Sequence, residues 1–448
     1  MKQEKLFKNS SVWKIIMEMA VPALLGILVM ILYNMADMYF ISFTHNDAMV
    51  AGISVSSPVY LITMAFATMI GNGGCTLIAQ KLGADNSDQV KKYSSASFII
   101  SLISGLLVMI SVLFFQKEIL RVLGVNEEIY PYAKDYIVYL SFGAPFLIFA
   151  NAFGNIIRAE GATKKALLFN LSGTLTNIIL DPLFIIVFNW GTKGAAVATV
   201  LGNVVSSLGL IMYIRSSQST LSLLNNKFRL KNFLEIIVIG LPSAVSTLMS
   251  ALSSTLANRL LVDYGTSAVA AMAASGKTTM IISMMVMGIC LGVQPYLAYC
   301  YGAGDYERLK ETMNKLTILS VLTGLVFSLG SYLLRYKIVS IFLTDTGSVE
   351  LAVNIVRIIV FAGPFYGLFY LGTSYLQSCG KAPLASIITL LRQGIIFIPL
   401  LYLLNYKFGI FGNASAHLGA DIISAVISYS VMWICFNKLM PEKELVLE

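Results

Sequence analysis

Charge is what this chain has least of. Only 12% of its 448 residues are Asp, Glu, Lys or Arg, against about a quarter in a soluble globular domain. Hydrophobic residues make up 57%, and the mean hydropathy is +0.78. Disorder requires the reverse composition and is excluded. Histidine occurs only as His45 and His417, and the five cysteines (Cys75, Cys290, Cys300, Cys379, Cys435) never form a C-x-x-C pair. Zinc-ligand spacing is therefore missing, and buried, reduced thiols are the expected state. No P-loop, G-x-S-x-G or H-E-x-x-H motif occurs, so the chain is not expected to be an enzyme or to drive transport with ATP by itself. The longest polar stretch, 215–231, is too short for a soluble domain.

What the chain does have is apolar runs. Twelve reach the length of about 20 residues that a helix needs to cross a bilayer, the first at 15–42 and the last at 410–436. A porin-type barrel would show short alternating segments instead. The expected fold is thus an all-α polytopic membrane protein with 12 transmembrane helices. The first run follows Lys2, Lys5, Lys8 and Lys14 and is longer than a signal-peptide core, so it is expected to stay as the first span. The formal net charge of +8 reflects loop lysines and arginines beside anionic lipid, not a nucleic-acid partner. They concentrate in the tail and the even-numbered loops, which places both termini in the cytoplasm.

An internal repeat runs at an offset of about 219 residues. Pro22 answers Pro242, Val50 answers Val269, Gly83 answers Gly302, Pro145 answers Pro364, Gly161 answers Gly380 and Gly194 answers Gly412. Each half then holds six helices entering the membrane in the same direction, as in transporters with parallel repeats. The expected division is an N-lobe over 1–214, a cytoplasmic linker over 215–233 and a C-lobe over 234–448. Two such bundles suit alternating access.

An ionisable group at the bilayer centre costs about 2.5–3.5 kcal/mol even on the mildest scale, so it usually has a task. The candidates are Asp37, Asp181, Lys277, His417 and Asp421, whereas Glu18, Arg259, Arg357 and Arg392 are read as snorkelling near span ends. Asn170, Thr174, Asn177 and Asp181 form one helical stripe on the fifth span. Tyr33 and Asn34 share the face of Asp37 on the first, and Thr199 and Asn203 are four apart on the sixth. At about 1.5 Å per residue, Asp37, Asp181 and Thr199 lie at similar depth. Such a group could hold Na⁺ through its oxygens, or exchange a proton between carboxylates. Pro182 should kink the fifth span beside Asp181. In the second half, Asn413, His417 and Asp421 share a stripe, and a Lys277–Asp421 pair would be neutral. Methionines around Met280–Met287 and on the first span suit a promiscuous pocket.

The ordered set VPALLGILVMILYNMADMYFIS, AQKLGADN, IRAEGATKKA, NIILDPLFI with GAAVAT, and GLPSAV resembles the multidrug and toxic compound extrusion (MATE) family over essentially the whole chain. It is closest in kind to the family's small bacterial exporters. The resemblance implies two pseudo-symmetric six-helix lobes in a V and antiport of amphipathic, mostly cationic compounds against H⁺ or Na⁺ at the bacterial plasma membrane. It puts the cation-coupling motif of the N-lobe branch on Asp37, Asn177, Asp181 and Thr199, with Tyr33 at a neighbouring aromatic position. The C-lobe carboxylates of another branch are missing, and Lys277 falls where related chains often carry a basic residue. Tyr33, Asn34, Asn170, Thr174 and Asn203 are expected to line the substrate cavity, and Lys277, His417 and Asp421 to form a C-lobe polar network. No cofactor beyond the coupling ion is expected, and a monomer in the bilayer is. The nearest alternative is a lipid-linked sugar flippase, which would need a cationic cavity. An integral-membrane enzyme would need catalytic polar groups at a membrane face. A channel is disfavoured by paired aspartates in one lobe only.

Overall fold

The computed structural model describes Phe7 and residues 10–42, 46–224, 229–343 and 345–438, with the backbone alone for 31–42 and 47. All regular structure among the described residues is helical. That is what a water-free surround demands, because a helix satisfies its own backbone groups. Val12–Ser42, Asp47–Gly83 and Ser87–Val122 form the first three spans. Tyr130–Phe142 and Ala144–Glu160, bent by 57° at Gly143, form the fourth. Thr163–Pro182 and Gly191–Arg215 complete the first half. The second half runs through Leu230–Val262, Thr266–Ala303, Tyr306–Leu333 and Thr346–Ser378. Its last apolar stretch, Ala382–Asn437, has 56 residues, far more than one crossing needs. Gly409, at φ 58° and ψ −135°, breaks it in two. Among the described residues the spans therefore number twelve.

Polar side chains close the helix starts. Asn46, Asn86, Asp305 and Asp345 each accept the backbone N–H three residues on, satisfying a donor the first turn leaves open. Outward faces carry Leu107, Phe114, Met212, Val326 and Ile434, all exposed, as lipid contact requires. Inward faces are small. The third span buries Ser94, Ser95, Ala96, Ser97, Ser101, Ser104 and Gly105, which lets backbones approach closely. All five cysteines are buried and unbridged.

The repeat is visible in the packing. A Cβ on Gly105 would lie 2.3 Å from Pro145 Cα, and one on Gly324 would lie 2.2 Å from the Gly363 carbonyl oxygen. The third and fourth spans thus meet as the ninth and tenth do. The expected kink at Pro182 takes another form: the helix widens into one π turn, Leu183–Val187. A second π turn, Leu391–Ile395, interrupts the eleventh span.

Two compact units result, one of Val21–Ala244, the other of Ser11–Ala20 with the chain from Val245 on. The changes of unit after Ala20 and after Ala244 fall near a repeat-matched proline, Pro22 in the first span and Pro242 in the seventh. The opening of the seventh span belongs to the first unit through tight contacts. A Cβ on Gly240 would lie 1.8 Å from the Met69 carbonyl oxygen, and one on Gly73 would lie 2.1 Å from that of Ile236. Asn72 Nδ2 donates to Ser243 Oγ at 2.8 Å, and the Tyr93 hydroxyl donates to Glu235.

The stretch after the sixth span is pinned by Glu160. Its buried carboxylate accepts from Tyr213 Oη at 3.1 Å, Ser219 Oγ at 2.8 Å, and both the backbone N–H and Oγ1 of Thr220 at 2.5 and 2.8 Å. Ser94 and Ser95 on the third span hold Ser222 by its N–H and C=O.

Gly240→Val should lower thermal stability by about 1–3 kcal/mol through overpacking, read as a reduced melting temperature in detergent. Glu160→Ala removes several charge-assisted bonds at about 1.5–3 kcal/mol each. It should speed tryptic cleavage after Arg215 at unchanged protease concentration.

Candidate functional site

The fifth and sixth spans pack so closely that a Cβ on Gly173 would lie 2.4 Å from the Gly202 carbonyl oxygen. That approach brings the stripe on the fifth span against the first turns of the sixth. Asp181 is fully buried, and Asn177 and Thr199 nearly so. With the Asn177 amide oriented to match its neighbours, its nitrogen donates to Asp181 Oδ2 at 3.1 Å and its oxygen accepts the Thr199 N–H at 2.9 Å. The opposite orientation would face the nitrogen's donors to both Asp181 and Thr199 Oγ1 only at 3.4 Å, so the first satisfies more groups. Thr199 Oγ1 donates to the Ala195 carbonyl at 3.0 Å, and Asn203 Nδ2 donates to the Thr199 carbonyl at 2.8 Å.

Asp181, Asn177 and Thr199 are thus brought together as the sequence stripe requires. Asn203 adjoins them through the Thr199 carbonyl. Asn170 lies about two turns before Asn177, its amide beside Gly154 of the fourth span, and Thr174 is half-buried on the same helix. The side chains of Tyr33, Asn34 and Asp37 lie outside the described residues. What is described offers a carboxylate, an amide and a hydroxyl.

The second unit differs from its expected network. Asp421 pairs with Arg392, not Lys277: Arg392 Nε donates to Asp421 Oδ1 at 2.7 Å, with both side chains about nine-tenths buried. Lys277 sits exposed on the eighth span. Nor does Arg392 snorkel. Its guanidinium lies 4.5 Å from the Phe369 ring centre, 5.1 Å from that of Tyr366 and 5.5 Å from that of Tyr370, and Nη1 reaches the Tyr370 hydroxyl at 3.4 Å. His417 packs on Phe397 with ring centres 4.4 Å apart. Asn413 Nδ2 donates to the Ala257 carbonyl at 3.3 Å, fastening the twelfth span to the seventh.

Tyr366 and Glu160 carry no expectation from the sequence, and Arg392 is read there as snorkelling near a span end. Counting through the repeat offered a signal for Arg392. From Gly161 and Gly380, Arg392 answers Gly173, and from Gly194 and Gly412, Asp421 answers Asn203. In the first half those positions sit on two spans whose backbones touch.

Comparison with known proteins agrees with this architecture. The MatE family profile matches residues 22–183 and 242–403. The chain belongs to the MatE family. Both matches of the MatE profile open on a repeat-matched proline, Pro22 and Pro242. The chain is 30% identical over 457 residues to the multidrug export protein MepA of Staphylococcus saprophyticus, covering all of both chains. It is likewise 30% identical, over 456 residues, to the same-named protein of Staphylococcus aureus. Among solved structures, a MATE protein in complex with MaL6 superposes with a TM-score of 0.93 at 22% identity, covering 98% of this chain and 99% of that one. An outward-facing multidrug resistance MATE transporter gives 0.92 at 23%, with the same coverage. A MatE fold with twelve spans makes this a multi-pass membrane protein.

Asn177→Leu leaves the Asp181 carboxylate without its amide donor and should cost about 1–3 kcal/mol of stability. Thr199→Val loses only a hydroxyl bonded within its own helix and should leave the melting temperature nearly unchanged. Thermal denaturation of the two variants side by side checks the contrast.

Proposed function

We propose that the protein is a cation-coupled antiporter that exports amphipathic, mostly cationic small molecules from a bacterial cell by alternating access. Its place is the plasma membrane, with both termini cytoplasmic and a monomer as the working unit. The observation that carries this reading is the burial of Asp181 against the neutral groups of Asn177 and Thr199. A carboxylate at that depth is costly to keep, and an amide cancels none of its charge. A proton or Na⁺ does cancel it. Both relatives described above bear the name multidrug export protein, which supports small organic molecules as the cargo.

The cycle follows from that charge. A cation arriving from outside binds at Asp181 with Asn177 and Thr199, and by the family resemblance with Asp37. Na⁺ requires oxygen ligands, so its arrival turns the Asn177 amide oxygen toward Asp181; a proton requires no such turn. A ligand shifts a two-state equilibrium only by its differential affinity for the two states. Here the difference is the carboxylate's exposure in each. Cation binding releases the cargo outward, and cation release inside resets the protein to take up the next molecule.

The test is ethidium movement in proteoliposomes under an imposed pH gradient, then an imposed Na⁺ gradient. Gradient-driven movement with one of them is expected for the unaltered protein. Its loss is expected in Asp181→Asn at an unchanged melting temperature. Undiminished transport by Asp181→Asn would overturn the site. Movement with neither gradient, in folded protein, would replace antiport with translocation of a lipid-linked substrate.

A further inference from the structure

The third and ninth spans end in the same way. Gly83 with Gly302 and Pro145 with Pro364 hold the repeat offset at 219 on either side of these ends. Phe115 (φ −109°, ψ 19°) and its match Leu334 (φ −93°, ψ 7°) leave helical geometry, and a short helix follows each, 116–122 and Arg335–Phe342. The side chain that opens each short helix turns back on its own span. Gln116 Nε2 donates to the Leu113 carbonyl at 3.1 Å, and Arg335 Nη1 donates to the matched Tyr332 carbonyl at 2.5 Å. The matched Leu120 and Val339 are fully buried, while the matched Val122 and Ile341 are exposed. The short helix is therefore part of the repeated frame. An odd number of crossings puts both copies on the membrane face opposite the start of the chain.

Charge is what differs between the copies. The first carries Lys117, Glu118 and Arg121, whereas the second carries Arg335 and Lys337 and no acidic residue. Among the described residues neither Arg335 nor Lys337 forms an ion pair. Two cations in the first turn also oppose the helix dipole, so they do not serve the helix that carries them. Arg335 is nevertheless held in place. Its guanidinium lies 4.5 Å from the Tyr332 ring centre and 5.5 Å from that of Tyr336, and the Tyr332 carbonyl takes one of its five donors. Lys337 is exposed. Around the two cations Leu333, Leu334, Tyr336, Ile341 and Phe342 are exposed as well. Fixed positive charge at the end of a span, flanked by bare apolar side chains, is complementary to a molecule with an anionic head and apolar tails.

We propose that the Arg335–Phe342 helix is a docking surface for an anionic phospholipid. The lipid phosphate takes Lys337 and the remaining donors of Arg335, and the acyl chains lie on Leu333, Leu334, Ile341 and Phe342. A zwitterionic phospholipid carries its own cation beside the phosphate and gains less from two fixed positive charges. The matched helix of the first half has Glu118 where the second has Lys337, so it offers no such preference. The inference does not rest on the coupling ion or the cargo.

The test places an NBD fluorophore on Ser340→Cys, an exposed position one turn beyond Lys337, while the five native cysteines are buried. The full-length protein in detergent micelles is titrated with doxyl-labelled phosphatidylglycerol or phosphatidylcholine, and quenching reports lipid at this helix. A basic residue beside anionic lipid is worth about fivefold in binding, so phosphatidylglycerol should quench at a mole fraction about tenfold or more below that of phosphatidylcholine. Lys337→Gln and Arg335→Gln should each weaken phosphatidylglycerol quenching about fivefold and leave phosphatidylcholine quenching unchanged. Lys337→Glu, which installs the residue of the first half, should erase the preference. Equal quenching by the two lipids, or a preference that survives Lys337→Glu, would overturn the site. Loss of the preference on adding millimolar glycerol phosphate would assign the surface to soluble phosphate and overturn lipid docking as well. Arg335 also holds the Tyr332 carbonyl, so if Arg335→Gln does not fold, the two variants of the exposed Lys337 decide.

Discussion

A polar group buried inside these spans is costly unless a neighbouring helix supplies its partner. The two units meet that constraint with opposite chemistry. In the first, the amide of Asn177 donates to Asp181, satisfying a lone pair with a neutral group. In the second, Asp421 is held by the guanidinium of Arg392, which satisfies a lone pair and cancels the charge. Fixed positive charge draws a group out of ion exchange; a neutral amide does not.

The packing beneath these sites is shared while the chemistry is not. Gly105 against Pro145 and Gly324 against Gly363 are the same contact made twice, and neither tolerates a side chain. Such contacts hold a repeat in register because a single methyl group would push backbones apart. The polar positions face cavities or partners that vary, so one half can carry Gly173 and Asn203 where the other carries Arg392 and Asp421. The prolines show the same split between frame and use. Pro22 and Pro242 lack the amide hydrogen a helix interior needs, and at both the chain passes from one unit to the other.

How much of this could be read in the sequence depended on the range of the interaction. Spans and repeat were legible because hydrophobic length and matched landmarks are properties of the chain itself. The association of Asn177 with Asp181 was legible because residues four apart on a helix must share a face. Thr199 joined them through depth, a coarser but still usable measure. The partner of Asp421 was not legible in this way. Lys277 and Arg392 both have the right charge, and only the rotation of each span about its axis decides which one meets the carboxylate. Glu160 was hidden for a related reason: beyond Tyr213 at the end of the sixth span, its donors Ser219 and Thr220 come from a turn whose shape no periodicity describes.

The π turns mark where helical extrapolation stops working. A π turn adds one residue to the helix and so rotates everything beyond it by roughly 100° relative to an unbroken 3.6-residue count. In the fifth span the turn follows Asp181, at Leu183–Val187. The stripe from Asn170 to Asp181 therefore lies wholly before it, and the α-helical count holds. In the eleventh span the turn contains Arg392 itself, so the face this residue presents cannot be counted from either flank. The same widening that defeats the count also brings Arg392 and Gln393 into the wall of a cavity. An error in periodicity is in this way a pointer to a site: where the helix departs from its regular winding, a side chain has been aimed.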